Sequence, residues 1–167
     1  MYKKETTIMK KILLRIIFLL LLCSTFFSIF GFSSQNGVES SGLSRKVTTK
    51  FVNIFPYTRN LSDDVKEKLI EHGEIIVRKL AHFSIYTLVG IFIMAFMFTF
   101  NTKLKIQFGV SLSVGLIYAI TDEYHQSFVP GRGPSAIDVC IDTSGVFMGI
   151  LMVLAIVAVY RAFKNDK

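Results

Sequence analysis

The sequence predicts an all-α membrane protein, a bundle of four transmembrane helices. Half of its 167 residues are hydrophobic, and they are gathered in four long apolar runs, which a soluble domain of this size would not contain. A helix of about 20 residues crosses the ~30 Å hydrocarbon core of a bilayer. We therefore expect a single membrane domain, residues 1–167, and its predicted spans are residues 12–32, 80–100, 106–126 and 138–163.

The first span follows a short basic segment at the N-terminus. A cleaved signal peptide is the alternative, but its apolar region has only ~7–15 residues and ends in a small-x-small site. The run here is longer, and the residues around Cys23 make a poor lipidation signal, so we expect the span to be retained. Cys23 and Cys140 both lie in apolar runs and are expected to be free, buried thiols.

Residues 33–79 are expected to form a loop outside the membrane that carries short amphipathic helices. Between Leu43 and Phe55 the apolar residues share one helical face, which is typical of a helix lying on the membrane surface, and Pro56 ends it. Ser62 is the predicted N-cap of a second helix, since two aspartates follow in the first turn. Its apolar stripe ends at Leu80, where the second span is predicted to begin.

Basic residues indicate the orientation. The N-terminus, the turn at residues 101–105 and the C-terminus lie on one side of a four-span protein and, with Arg15 near the start of the first span, carry ten of the 19 Lys and Arg. The positive-inside rule then predicts cytoplasmic termini, although the loop at residues 33–79 is also basic. The net charge of +7 is attributed to topology or to anionic lipid. Membrane lipids are thus expected partners, and no nucleic acid is expected because no such motif occurs.

Polar groups fall at one depth in all four predicted spans. Counting ~20 residues from each cytoplasmic end reaches residues 33–35, Lys79 with His82, His125, and Asp142. Charged groups are costly in a bilayer, ~2.5–3.5 kcal/mol for a central Asp or Lys even on lenient scales. Four independent counts that end at polar residues therefore predict a polar pocket near the outer interface.

Small residues share helical faces with these polar groups, and small residues let helices approach closely. A tight bundle with an outward-opening pocket is therefore predicted. The three stripes are Lys79, His82, Tyr86 and Gly90; Gly115, Ala119, Asp122 or Glu123, and Gln126; and Asp138, Asp142, Gly145 and Gly149.

Five short motifs follow one another between residues 28 and 155. They are Phe32-Ser33-Ser34-Gln35, Arg78 to Phe83 with Tyr86, Asp122-Glu123 through His125-Gln126, Val129-Pro130-Gly131-Arg132, and Asp138 to Gly145 with Gly149. Together they resemble the VanZ-like family, named after a teicoplanin-resistance membrane protein. The resemblance implies a cell-envelope membrane protein with no agreed reaction, and it does not make the chain a resistance determinant. Asp142 departs from the asparagine usual in the family, which alters the charge of the pocket.

The predicted ligand-binding residues are the polar groups of this pocket: Lys79, His82, Glu123, Gln126, Arg132, Asp138 and Asp142. Several have structural alternatives. Ser135-Ala-Ile-Asp138 fits a capping box, and Glu123 is either a salt-bridged lock between helices or a general base. Asp142 is expected to pair with Lys79 or Arg132. Arg132 lies in a Pro-Gly turn and is a candidate anion binder.

The candidates for acid–base chemistry are Glu123, His82, His125 and Asp142. Their spacing matches no metal motif and HExxH is absent, so no metal and no other cofactor is expected. No serine stands in a GxSxG motif, and neither cysteine has the context of a nucleophile. The sequence thus offers acids and bases without a clear catalytic nucleophile.

Three functions are compatible with this pattern. The first is a non-enzymatic protein whose pocket binds the headgroup of a lipid or of a lipid-linked cell-wall precursor, with an effect on glycopeptide susceptibility. The second is a membrane enzyme that acts on a lipid phosphate or acyl group by acid–base chemistry. The third is a small transporter or assembly partner, which with four spans would need a homodimer.

Overall fold

The computed structural model describes residues 2–165, which form helices and no strand. The helices are α1 (Tyr2–Ser33), α2 (Gly37–Ile54), α3 (Pro56–Arg59), α4 (Asp63–Phe98), α5 (Leu104–Gln126) and α6 (Ala136–Asn165). Four of them, α1, α4, α5 and α6, are long and apolar enough to cross a membrane. The predicted all-α fold with four spans is therefore confirmed.

Helix α4 joins two elements that the sequence separated. The amphipathic helix after Ser62 and the second span form one helix of 36 residues, about 54 Å long at 1.5 Å per residue. That exceeds the ~30 Å bilayer core, so its first turns extend beyond the membrane. Gly73 does not interrupt it, because Thr48 of α2 packs there, 2.4 Å from where a Cβ would stand. Ser62 is the N-cap residue, as predicted, but its side chain makes no capping hydrogen bond.

Helix α2 packs on α4 through small residues and leaves its apolar face exposed. Ser40, Ser44 and Thr48 are buried, whereas Phe51 is 57% and Ile54 67% exposed. A helix with one exposed apolar face is suited to lie against lipid. The arrangement agrees with the predicted surface helix, which begins earlier than expected, at Gly37, and ends before Pro56.

Helices α4 and α6 make the closest contact of the bundle. A Cβ at Gly90 would lie 2.1 Å from the carbonyl oxygen of Val146, and one at Gly149 would lie 2.1 Å from that of Thr87. Small residues permit this backbone approach. Both helices start at the same end of the bundle, so they run parallel, and residues at matching depth face each other along the contact.

The N-terminal part of α1 lies at the far end of α4. Arg15 donates hydrogen bonds to the side-chain and backbone oxygens of Thr99, at 3.1 and 3.2 Å, and its guanidinium lies 4.0 Å from the Phe100 ring centroid. These contacts satisfy a C-terminal carbonyl of α4 and complement the negative end of its dipole. Arg161 lines a cavity with the same turn. Both termini therefore lie at this end, and its cytoplasmic orientation stays a prediction.

The two cysteines are free, as expected, but both are exposed on the bundle surface rather than buried. Each lies in an apolar run of a spanning helix. An apolar run has to cover lipid-facing as well as helix-facing positions, and hydropathy alone does not distinguish the two. The prediction of buried thiols is therefore wrong.

Candidate functional site

All seven predicted ligand-binding residues line one polar cavity of about 280 Å³, at the end of the bundle where α4 and α6 enter. The loop before α6 completes its wall, with Gly131 at a φ of 75°. Pro130 fixes the neighbouring turn. Its own carbonyl oxygen accepts a 3.1 Å hydrogen bond from the backbone N–H of Gly37. The full lining is Ile75, Arg78, Lys79, His82, Glu123, Gln126, Gly131, Arg132, Gly133, Asp138, Ile141 and Asp142.

Two polar contacts, one helical turn apart, connect α4 and α6. Lys79 Nζ lies 2.9 Å from Asp138 Oδ1, and one turn deeper His82 Nδ1 lies 3.5 Å from Asp142 Oδ1. No ion pair among residues 2–165 joins Asp142 to a lysine or arginine, so the predicted pairing is wrong. Asp138 lies one turn nearer the end of the bundle than Asp142, at the depth of Lys79, and therefore contacts the lysine instead.

Glu123 joins α5 to the start of α6. Its Oε2 accepts a 2.8 Å hydrogen bond from the backbone N–H of Ser135, and Ser135 Oγ in turn accepts one of 3.2 Å from Asp138 N. Glu123 therefore takes the place of the second partner in the predicted capping box, while the Asp138 carboxylate binds Lys79. Glu123 acts as a lock between helices, through a backbone group instead of the expected salt bridge.

His82, Asp122 and Asp142 form a compact cluster that adjoins the polar cavity, whose lining includes His82 and Asp142. They come from α4, α5 and α6, and one ligand atom of each lies within 4.8 Å of the others. Asp142 is fully buried, and neither of its carboxylate oxygens has a hydrogen-bond partner in the part of the chain that the structure describes. A carboxylate buried without a partner is costly, so this cluster is the chemically most unusual feature of the site.

Asp122 is held from behind by two donors. Its Oδ2 accepts hydrogen bonds of 3.2 Å from the hydroxyl of Tyr86 and from Nε2 of Gln126. Gln126 also donates to Ser33 Oγ of α1, at 3.3 Å. The network fixes the carboxylate of Asp122 and ties α1, α4 and α5 together at the depth of the cluster.

Both acids of the predicted α5 stripe are buried, Glu123 in the lining of the polar cavity and Asp122 in the cluster with His82 and Asp142. Among the predicted acid–base candidates, His125 is the one that the structure places elsewhere. His125 does not line the polar cavity. Its ring stacks on Phe30, with centroids 4.6 Å apart, and its Nε2 lies 3.1 Å from Ser34 Oγ. His125 is thus an element of the contact between α1 and α5.

A second, mostly apolar cavity of about 250 Å³ adjoins the first. Arg78, His82 and Arg132 line both cavities and form their common wall. The apolar part lies between α1, α2 and α4, and its lining includes Ile29, Phe32, Leu43, Val47, Val77 and Ile85. Polar and apolar chambers therefore meet at a pair of arginines.

The two arginines make few contacts with the protein. Arg78 donates to Ser41 Oγ at 2.6 Å, and its buried Nε has no hydrogen-bond partner. Arg132 donates to the carbonyl oxygen of Phe32 at 3.2 Å. Burial, together with the charge of Arg78, lowers the pKa of Arg132 from its usual range, but a guanidinium remains protonated in proteins. Both side chains can still donate hydrogen bonds to an anion.

The VanZ/LLP1 family model matches residues 18–158, well over half of the chain. No curated protein and no solved structure matches the chain. The matched range includes the whole of α2, α4 and α5 and every residue of the two cavities. With its four helices able to cross a membrane, the chain is a multi-pass membrane protein that belongs to the VanZ/LLP1 family.

Proposed function

We propose that this protein binds an anionic amphiphile, either a membrane lipid or a lipid-linked cell-wall precursor, with its headgroup in the polar cavity. The observation that carries the proposal is the common wall formed by Arg78, His82 and Arg132. A phosphate at this wall would meet the two guanidiniums, and a hydrocarbon chain attached to it would enter the apolar cavity. The two chambers thus match the two halves of such a molecule.

The charges of the described residues favour the arginines as the phosphate ligands. Lys79, a third basic residue of the polar cavity, is already paired with Asp138. Arg78 and Arg132 form no ion pair within residues 2–165. Guanidiniums bind phosphate through two parallel hydrogen bonds, and Arg78 Nε is a buried donor without a partner. A bound phosphate would satisfy that donor.

The position of the site connects it to the cell envelope. If both termini are cytoplasmic, as the basic flanks predict, the cavities open toward the outer leaflet. A lipid-linked precursor held there would be displayed differently to a glycopeptide that recognises it. An effect on teicoplanin susceptibility would then follow from binding alone, without a chemical reaction.

Replacing both arginines, Arg78→Gln with Arg132→Gln, is expected to weaken binding of polyprenyl phosphate or phosphatidylglycerol at least about tenfold. Each hydrogen bond to a charged group contributes ~1.5–3 kcal/mol, and 1.4 kcal/mol corresponds to a factor of ten. Native mass spectrometry of the protein in a neutral detergent, titrated separately with each lipid and with phosphatidylcholine, measures the effect and separates the two lipid classes.

The matched control is Lys50→Gln with Arg59→Gln, which removes the same two charges from exposed positions on α2 and α3, outside both cavities. It should bind anionic lipid like the unchanged protein. Equal losses in the control and the double variant would indicate general attraction to negative charge. Retained binding in the double variant would contradict the proposal.

A membrane enzyme is the second candidate, and the buried His82–Asp142 contact favours it. An imidazole beside a carboxylate is a common arrangement for proton transfer, and both residues line the polar cavity. Release of phosphate or a fatty acid from a bound lipid, lost in His82→Gln while lipid binding remains, would establish this function. Binding without turnover would leave the non-enzymatic role.

A further inference from the structure

We propose that His82, Asp122 and Asp142 bind one divalent transition-metal ion, of the Mn²⁺ or Zn²⁺ type, beside the polar cavity. One ligand atom from each residue lies within 4.8 Å of the other two. Atoms that share an ion at about 2.0–2.2 Å stand no more than about 4.4 Å apart. Small side-chain rotations therefore bring the three atoms to coordination distance without moving a helix.

Asp142 gives the second, independent indication. Its side chain is 0% exposed, and both its oxygens lack a hydrogen-bond partner. The nearest cationic candidate, His82, lies 3.5 Å away with Nδ1 also lacking a hydrogen bond. Buried polar atoms in proteins are nearly always satisfied. A cation beside Asp142 and His82 would satisfy both carboxylate oxygens and the imidazole nitrogen.

The charges balance with a divalent ion. Two carboxylates, a neutral imidazole and a 2+ ion sum to zero, which is favourable in a site with little water. Neither nearby arginine forms an ion pair with these acids within residues 2–165, and Arg78 and Arg132 hydrogen-bond Ser41 and the Phe32 carbonyl instead. Without an ion the cluster holds two adjacent buried acids at the depth of the membrane, which is a costly arrangement.

The surroundings of Asp122 resemble those of a metal ligand. Tyr86 and Gln126 both donate to its Oδ2, which leaves Oδ1 available. Metal-binding carboxylates are commonly held by such outer hydrogen bonds, whose loss costs 10–100-fold in affinity. One nitrogen and two carboxylate oxygens suit Mn²⁺ and Zn²⁺ better than the all-oxygen cations Mg²⁺ and Ca²⁺. Two of the three residues, His82 and Asp142, line the polar cavity.

Metal binding is testable with the full chain in a neutral detergent and with the metal alone. After treatment with a chelator, the protein is titrated with Mn²⁺, and electron paramagnetic resonance measures the free ion. We expect one bound Mn²⁺ per chain, displaced by Zn²⁺. Asp142→Asn and His82→Gln should each weaken binding at least about tenfold, the lower limit seen even for outer-shell partners.

Asp138→Asn is the matched control, because it removes an acid from the same helix and the same cavity. Asp138 is paired with Lys79 and is not one of the three proposed metal ligands. Its Mn²⁺ affinity should be unchanged. Nitrogen modulation of the Mn²⁺ signal in the unchanged protein provides a readout without any substitution, and it should show one imidazole. Absence of stoichiometric binding, absence of the nitrogen coupling, or equal affinity in Asp142→Asn would each overturn the proposal.

The metal site does not depend on the proposed lipid function. No lipid is added in the titration, so a negative result leaves the arginine-bound phosphate as proposed. Loss of lipid binding in the arginine variants would likewise leave the metal measurement unaffected. Where both results are positive, an ion and two guanidiniums lie around one cavity, and the effect of Mn²⁺ on lipid affinity can be measured directly.

Discussion

Gly149→Leu is expected to separate α4 from α6 and to lower the free energy of unfolding by about 3 kcal/mol or more, the upper range for overpacked cores. A Cβ at this position would lie 2.1 Å from the carbonyl oxygen of Thr87 and 2.8 Å from the backbone nitrogen of Ile91. Both are backbone atoms, so no side-chain rotation relieves the clash. Thermal unfolding in detergent, followed by circular dichroism, measures the loss.

Gly109→Leu on α5 is the matched control for this change. Gly109 is exposed, and no atom lies within 4 Å of its Cβ position. Leucine also has the higher helix propensity, so stability should be equal or slightly higher. If both glycine variants lose the same stability, leucine is disrupting these helices generally, and the close contact of α4 with α6 is not the cause.

The same contact positions the functional site. Gly145, one turn before Gly149, would place a Cβ 2.4 Å from the carbonyl oxygen of Phe83. Asp142 precedes Gly145 by three residues, and His82 precedes Phe83 by one. The close approach therefore sets the register in which Asp142 meets His82. A shift of α6 by one turn would move Asp142 away from His82 and place it beside Lys79.

The depth of the site could be predicted from the sequence because transmembrane helices share a nearly constant length. Counting from the basic ends placed Lys79, His82 and Asp142 together, and the structure brings them to one cavity. The helical spacing of small and polar residues also identified the buried stripe of α5, which includes Gly115, Ala119 and Gln126. Depth and helical face need only the rise and period of a helix.

The contacts within the site could not be predicted in the same way. A count of ~20 residues fixes depth only to about one turn, 5.4 Å, which is the separation of Asp138 from Asp142. The choice between Asp122 and Glu123 depends on the rotation of α5 about its axis, since adjacent helical residues point about 100° apart. Rotation and register are set by packing with other helices, not by the local sequence.

The continuity of α4 was missed for a related reason. The sequence was divided near Leu80 because hydropathy changes there. Hydropathy reports the surroundings of a helix, whereas proline and turn residues report its backbone. No proline occurs between Asp63 and Phe98, and the helix crosses from polar to apolar surroundings without a break. A backbone criterion would have predicted one helix.

Asp122→Leu is expected to lower the free energy of unfolding by roughly 3 kcal/mol or more, because two hydrogen bonds to a charged acceptor are lost and each contributes ~1.5–3 kcal/mol. Tyr86 is 0% exposed and Gln126 only 6%, so their freed donors have little access to water. A buried donor without a partner bears its full desolvation cost. Unfolding should be measured in a chelator, so that any bound metal does not contribute.

Asp122→Asn and Tyr86→Phe distinguish the network from simple loss of volume. Asparagine keeps one acceptor oxygen of nearly the same shape, so its cost should be less than half that of leucine. Tyr86→Phe removes one donor, and adding it to Asp122→Leu should cost little more, because the hydroxyl is then absent instead of unsatisfied. A double-mutant cycle measures this coupling. If the losses from Asp122→Leu and Tyr86→Phe simply add, the tyrosine does not hold the carboxylate, and the orientation of Asp122 must come from packing alone.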